Sequence, residues 1–252
     1  MSASPAQEIV TAAVIVIGDE ILSGRTKDKN IGFLADYMTA IGIDLREVRI
    51  VPDELPRIVE AINVLRLRCD YVFTTGGIGP THDDVTADAV AAAFEAPVVE
   101  DERILAMMKE RYAEGDLTPG RRRMARVPKG ADLIDNPVSG LPGFHIGNVF
   151  VMAGVPSVMQ AMFDGLAPRL ATGRKMLSKT IEAHRPEGIV ATPLGEIQDA
   201  HPGTAIGSYP YFDGEIFSTR IVIRARDADL LEEAAADVQK MLEGLAKNDK
   251  TS

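Results

Sequence analysis

The run Thr74-Thr75-Gly76-Gly77-Ile78-Gly79-Pro80-Thr81-His82-Asp83-Asp84-Val85-Thr86 holds the residue types best suited to chemistry. Three glycines directly after a β-branched run let the backbone turn sharply and bring its amides close to an anion. A helix beginning around Asp84 would add its positive end. Carboxylates at that place repel a bare phosphate, so Asp83 and Asp84 point to a divalent cation (Mg²⁺, Mn²⁺ or Co²⁺) between protein and ligand. The competing reading is a tight turn in which Asp83 or Asp84 only caps the helix.

Two further acidic turns follow apolar runs. Gly18-Asp19-Glu20-Ile21-Leu22-Ser23-Gly24 places carboxylates where they can accept hydrogen bonds from ribose hydroxyls or from the amino groups of a purine or pterin. As a plain turn, it would use Asp19 or Glu20 to cap a short helix. Val51-Pro52-Asp53 ends the next run, and Asp53 is either a helix cap or a second carboxylate facing the same crevice as Asp84. Two such carboxylates around one cation suit pyrophosphate cleavage or nucleotidyl transfer.

Other chemistries lack their residues. No Lys-Ser/Thr pair follows the glycines and the first strand has no Gly-x-Gly-x-x-Gly turn, which excludes a P-loop and a standard dinucleotide fingerprint. His82, His145, His184 and His201 show no ligand spacing, and the single cysteine, Cys69, supports neither a disulfide nor a thiolate metal site. Arg220, Arg224 and Arg226 share one strand face, most simply a solvated one, and Gly207-Ser208-Tyr209-Pro210 at the end of the neighbouring strand is either only a turn or a place where Tyr209 stacks on a base.

The elements that must position these residues alternate short strands with helices. Val14–Ile17, Leu45–Val51 and Tyr71–Thr75 read as buried strands. Asp28–Ile41, the stripe Leu55–Leu65 and the run from Val85 to Phe94 read as amphipathic helices. Ile104, Leu105, Met108 and Tyr112 suggest another helix, whereas Gly115–Arg126 reads as a mobile, loosely packed excursion. Asn148–Ala153 is a strand, and a helix through Leu170 closes the first domain near Thr172–Lys175. The rest reads as strand Leu177–Ala183, helix Pro186–Ile197, strands Thr204–Tyr209 and Glu215–Arg226, and a last helix through Leu245. The expectation is a three-layer α/β/α domain with a mostly parallel sheet over residues 9–173, then a small βαββα module over 176–247.

Taken together, the acidic turn Gly18–Gly24, Asp28-Lys29-Asn30, Thr74–Thr86, Asn136-Pro137, Pro142-Gly143-Phe144 and Gly154-Val155-Pro156 resemble the molybdopterin-binding fold family, in its competence/damage-inducible branch, from about Thr11 to Leu170. The tail, with Ile206–Pro210 and Arg224, is similar to the small KH-like module of that branch. The resemblance implies metal-dependent ADP-ribose pyrophosphatase activity. The alternatives are adenylyl transfer to a molybdopterin-type phosphate and ligand binding without catalysis. It assigns Asp84 and Asp53 as acidic functional positions and Gly76, Gly77 and Gly79 as the phosphate cradle. Thr75, Pro80, Thr81, Thr86, Asp19, Glu20, Asn30, Asn136, Gly143, Gly154 and Pro156 complete the ligand site, with Asp83 beside the metal. It further implies a homo-oligomer, and no amidohydrolase domain fits before residue 252. Ser139-Gly140-Leu141 departs from the family's Gly-Thr-Ala, so a bulkier Leu141 meets the ligand.

A net charge of −10 and a pI near 5.0 argue against a binder that tracks nucleic-acid backbone. Residues 1–8 lack a basic segment and an apolar core, and no run approaches a membrane span. The sequence-level expectation is a cytoplasmic protein with a nucleotide-like or pterin-like small-molecule ligand.

Overall fold

A computed structural model of the chain describes residues 8–113, 115–212, 214 and 216–248. The readings made for residues 1–7 and for Glu215 lie outside them. The chain divides into two compact units, at Gly173 and Arg174.

The first unit runs β1 (Val10–Ile17), α1 (Asp19–Leu22), α2 (Asn30–Ile41), β2 (Ile43–Val51), α3 (Leu55–Leu65), β3 (Tyr71–Thr75) and α4 (Thr86–Ala93). It continues through β4 (Val98–Glu100), α5 (Glu102–Arg111), α6 (Pro119–Arg123), β5 (Arg126–Pro128), β6 (Asp132–Ile134), β7 (Gly143–Ile146), β8 (Val149–Met152) and α7 (Pro156–Leu166). Six strands form one sheet in the order β2-β1-β3-β8-β7-β6. The first four are mutually parallel, and β7 and β6 are antiparallel additions.

Strand β1 shows why the domain has three layers. Side chains alternate across a strand, and Ala13, Ile15 and Ile17 join a core with Ile58, Ile62, Leu65 and Val90 of α3 and α4. Their neighbours Ala12, Val14 and Val16 join an opposite core with Leu34, Met38 and Phe163 of α2 and α7. Both sets are buried. Each fully buried aliphatic side chain contributes roughly 1.5–3 kcal/mol, so a polar substitution on either face would unseat a helix layer. Phe163 packs edge-on against Phe73 at 5.3 Å and Tyr37 at 5.1 Å, which holds α7 to the sheet and to α2.

Because β2 and β3 flank β1 on opposite sides, the chain reverses its direction of sheet growth beside β1. In parallel α/β sheets, ligands bind outside the carboxyl ends of the strands at such a switch point. Gly18, Asp53 and Gly76 all follow those ends.

The segment expected to be a mobile excursion is instead structured. The side chain of Thr118 caps α6, and Arg123 donates from Nε to the Thr81 carbonyl and from Nη2 to the Asp84 carbonyl, both at 3.1 Å. Arg122 pairs with Glu100, and Arg121 lies 4.4 Å over the Tyr112 ring. The three arginines that read as loop punctuation are ties to three separate neighbours.

The second unit runs β9 (Leu177–Glu182), α8 (Glu187–Ala200), β10 (Thr204–Phe212), β11 (Phe217–Ala225) and α9 (Ala228–Asn248), the βαββα order expected. Its antiparallel sheet has the order β10-β11-β9, with both helices packed on one face around Val190, Ile221, Ile223 and Val238.

Candidate active site

The ends of β1, β2, β3 and β8 converge on a cleft of about 610 Å³, within the range of small-molecule sites. Its floor is the glycine turn. Gly76 has φ 103° and a Cβ there would lie 2.2 Å from the Ile17 carbonyl oxygen; Gly77 has φ 66° and a Cβ would lie 2.2 Å from Thr86 Oγ1. Both positions combine left-handed backbone with no room for a side chain, so only glycine fits. The turn is fastened by Gly76 N donating to Met152 O at 3.1 Å, Thr86 N to Gly77 O at 3.1 Å and Thr86 Oγ1 to Gly76 O at 3.0 Å. Gly154 closes the far side, its missing Cβ 3.1 Å from the Gly76 Cα, and Asn30 Nδ2 donates to the Gly154 carbonyl at 2.8 Å.

Asp84 does not cap the following helix, which begins at Thr86 with Val85 as an unassisted cap. Its carboxylate folds back on its own loop. Oδ1 accepts from Gly79 N at 2.7 Å, and Oδ2 accepts from Thr81 N at 2.8 Å and from the Thr81 hydroxyl. With Arg123 holding the Thr81 and Asp84 carbonyls from outside, the loop is fixed on both its donor and its acceptor sides.

Asp53 is not a helix cap either, since Glu54 precedes α3 without a side-chain bond. Instead Asp53 Oδ2 accepts from Asp19 N at 2.9 Å, and Gly18 N donates to Val51 O at 3.1 Å, so the ends of β1 and β2 are stitched together. Burial raises the pKa of the Asp53 carboxyl, the Asp19 amide opposes that shift, and the charges of Asp19, Glu20 and Asp83 reinforce it. Asp83, fully exposed, is held below the usual carboxylate range by the Thr81 side chain first and its own backbone amide second.

Of the residues singled out from sequence, Glu20, Asp53, Gly76, Gly77, Gly79, Asp83, Asp84, Asn136, Gly154 and Pro156 line this one cleft. Asp19 contributes its amide to Asp53, and Asn30 and Thr86 act from behind as described. Thr75 is buried, with no hydrogen-bond partner for its hydroxyl among the described residues, and Pro80 and Thr81 are exposed on the loop.

Two expectations change. Gly143 lies inside β7, where a Cβ would meet the Val151 carbonyl at 2.2 Å and Met162 at 2.6 Å, so it is a packing glycine and not part of the ligand surface. Asn136 lines the cleft but spends its amide on its own turn. Nδ2 donates to Leu141 O at 2.8 Å, and Oδ1 accepts from Ser139 N at 3.0 Å and Val138 N at 3.2 Å.

The sequence reading missed the wall opposite the glycines, made by Arg111, Tyr112 and Met124, together with Ser139. Arg111 bonds the Ser139 carbonyl and brings a guanidinium to a rim otherwise rich in carboxylates. The cluster Arg121–Arg123 was the available signal, because it clamps the segment that carries this wall. Leu141 does meet the cleft, as expected.

Residues 13–172 match the family model described as "Probable molybdopterin binding domain". The chain belongs to the molybdopterin-binding domain family. Residues 175–250 match the model "FAD synthase, middle domain". A relative from Pyrobaculum calidifontis is 36% identical over 211 residues, covering 79% of this chain and 80% of the relative. A protein of Caenorhabditis briggsae named "Probable FAD synthase" is 29% identical over 260 residues, 93% of this chain but 50% of that protein. Among solved structures, the protein CinA of Thermoplasma acidophilum, described as of unknown function, superposes with TM-score 0.61 at 36% identity, covering 65% of this chain and 99% of that one.

These likenesses correct the expected reaction. Residues 13–172 match a molybdopterin-binding domain and residues 175–250 a module of an FAD synthase, and neither match supports the expected hydrolysis of ADP-ribose. The geometry gives a concurring reason: the Asp84 carboxylate, assigned the leading role in hydrolysis, already takes three hydrogen bonds from its own loop. No helix among the described residues is long and apolar enough to cross a membrane.

Proposed function

We propose that the first unit transfers the adenylyl group of ATP to the phosphate of a pterin-type acceptor. The observation that carries this reading is the composition of the one cleft. A glycine cradle with backbone amides and no Cβ atoms forms the floor, and Ile17, Ile78, Tyr112, Met124 and Leu141 supply apolar wall for flat heteroaromatic rings. Family membership and the likeness to an FAD synthase module support it.

In this reading an oxygen of the acceptor phosphate attacks the α-phosphorus of ATP, the bond to the bridging oxygen of the β-phosphate breaks, and pyrophosphate leaves with the electron pair. Gly76 N is given to Met152 and Gly79 N to Asp84, so the amides of Gly77 and Ile78 hold the charge that builds on the transferring phosphate, and Arg111 supplies a cation at the rim. Asp84 and Arg123 are positioning residues that keep the cradle shaped before substrate arrives.

Asp53, Asp83 and Glu20 line the cleft with oxygen donors, but no three carboxylate, imidazole or thiol side chains among the described residues are grouped to hold a metal ion, so no step is assigned to the divalent cation expected from sequence. The test is pyrophosphate release from ATP as a function of added pterin phosphate. Release that requires the acceptor supports transfer, and AMP formation that ignores it contradicts transfer.

A further inference from the structure

The second unit carries a surface that the cleft chemistry does not use. Within β11, Ile221, Ile223 and Ala225 enter the core under α8 and α9. Alternation along the strand sends Arg220, Val222 and Arg224 to the opposite face, which no element among the described residues of this unit covers. Cross-strand pairing sets Glu182 and Tyr209 beside Arg220, Thr180 and Gly207 beside Val222, and Ser178 and Ala205 beside Arg224.

The two arginines on this face differ. Arg220 is committed: its Nε donates to Glu182 at 2.9 Å and its guanidinium lies 4.4 Å over the Tyr211 ring. Arg224 is exposed and has no carboxylate partner among the described residues; its contact is Nη2 to the Tyr209 hydroxyl at 3.5 Å. The Tyr209 ring lies down over Gly207, where a Cβ would sit 3.2 Å from the ring. Tyr209 nevertheless keeps 49% of its surface exposed, so the outer face of the ring is open.

A ring held flat with one face open, and an unneutralised guanidinium at its hydroxyl edge, are the two halves of a site for a planar anion. Bases stack on such rings, and the guanidinium fork matches phosphate oxygens. A bare phosphate would leave the ring unused, and a neutral aromatic would leave the cation unused. Nucleic-acid backbone needs several cations along a track, and among the described residues of this face Arg224 is the cation without a carboxylate partner, in a chain of net charge −10. We propose that the open face of the β10-β11-β9 sheet binds a nucleoside monophosphate, its base on Tyr209 and its phosphate at Arg224. This goes beyond the adenylyl-transfer reading and stands independently of it.

The experiment is a titration of the full chain with AMP, followed by amide nuclear magnetic resonance. Residue-resolved shifts separate this face from the first unit's cleft, so failure of one site says nothing of the other. Saturable shifts at Gly207, Val222 and Arg224, weakened about tenfold or more in Tyr209→Ala and in Arg224→Gln, are the expected result. Adenosine and inorganic phosphate should each bind more weakly than AMP by a similar factor. Absence of saturable shifts at these amides overturns the proposal, as do shifts that survive both substitutions. Much tighter binding of an oligoadenylate than of AMP would replace the mononucleotide by a nucleic acid.

Discussion

The backbone amide of Asp19 donates to the carboxylate of Asp53 at 2.9 Å, joining the end of β1 to the end of β2 across 34 residues of sequence. With the Gly18 N–Val51 O bond it fixes one wall of the cleft and explains why an acid sits at position 53, whereas Asp19 contributes only its backbone. It also places Asp53 among like charges, which gives it a measurable pH signature.

Asp53→Asn retains an oxygen to accept from Asp19 N but removes the charge. The Asp53 pKa is raised in the folded protein above the ordinary aspartate value of 3.8, so the native state holds its proton more tightly than the unfolded chain. Stability attributable to this group is therefore greatest at low pH and falls as pH rises through the interval from 3.8 to the folded value, then stays level. Thermal unfolding of the two proteins across pH should show Asp53→Asn gaining on the wild type over that interval. A gap independent of pH would refute the account.

Asp84→Asn should loosen the glycine loop even without ligand, because an amide nitrogen cannot accept from both Thr81 donors. Thr81 is exposed, so water takes over its donors and the loss is that of a net hydrogen bond, about 0.5–1.5 kcal/mol. Hydrogen exchange at Gly79 and Thr81 should quicken in the variant. Unchanged protection would mean that the carboxylate does not shape the loop.

Arg123→Met removes both ties between α6 and the loop carbonyls of Thr81 and Asp84. Trypsin should then cut faster at Arg121 and Arg122, and ATP should bind more weakly with the fold intact. Equal cleavage rates would detach α6 from the site.

Much of this was legible in sequence. Strand β3 ends at Thr75, as its β-branched run foretells, and the three-layer arrangement follows from β1 being apolar on both faces from Ala12 to Ile17 while the helices carry one-sided stripes. The roles of Asp53 and Asp84 were not legible. Both precede helices, where capping is the local default, and what overrides that default is a contact that local rules do not weigh: Asp53 with a strand end 34 residues away, Asp84 with the amides of its own preceding loop. The short strands β4 to β7 and the α6 clamp were missed for a related reason. Three- and four-residue strands show no period, and arginines that reach carbonyls look like any solvated charge run.

Gly77→Val should abolish the cradle, since a side chain there meets Thr86 Oγ1 and the backbone is left-handed. Strain of this kind costs on the order of 1–3 kcal/mol, which a domain of this size should survive. Isothermal titration with ATP should show at least a tenfold loss of affinity. Wild-type affinity would place the phosphates elsewhere.

The most direct measurement follows the α-phosphorus of labelled ATP in the presence and absence of a phosphorylated pterin. The account predicts label in an adenylylated pterin with one pyrophosphate released per adduct, and neither product from Gly77→Val. Label appearing only as AMP, at a rate indifferent to the acceptor, would contradict it.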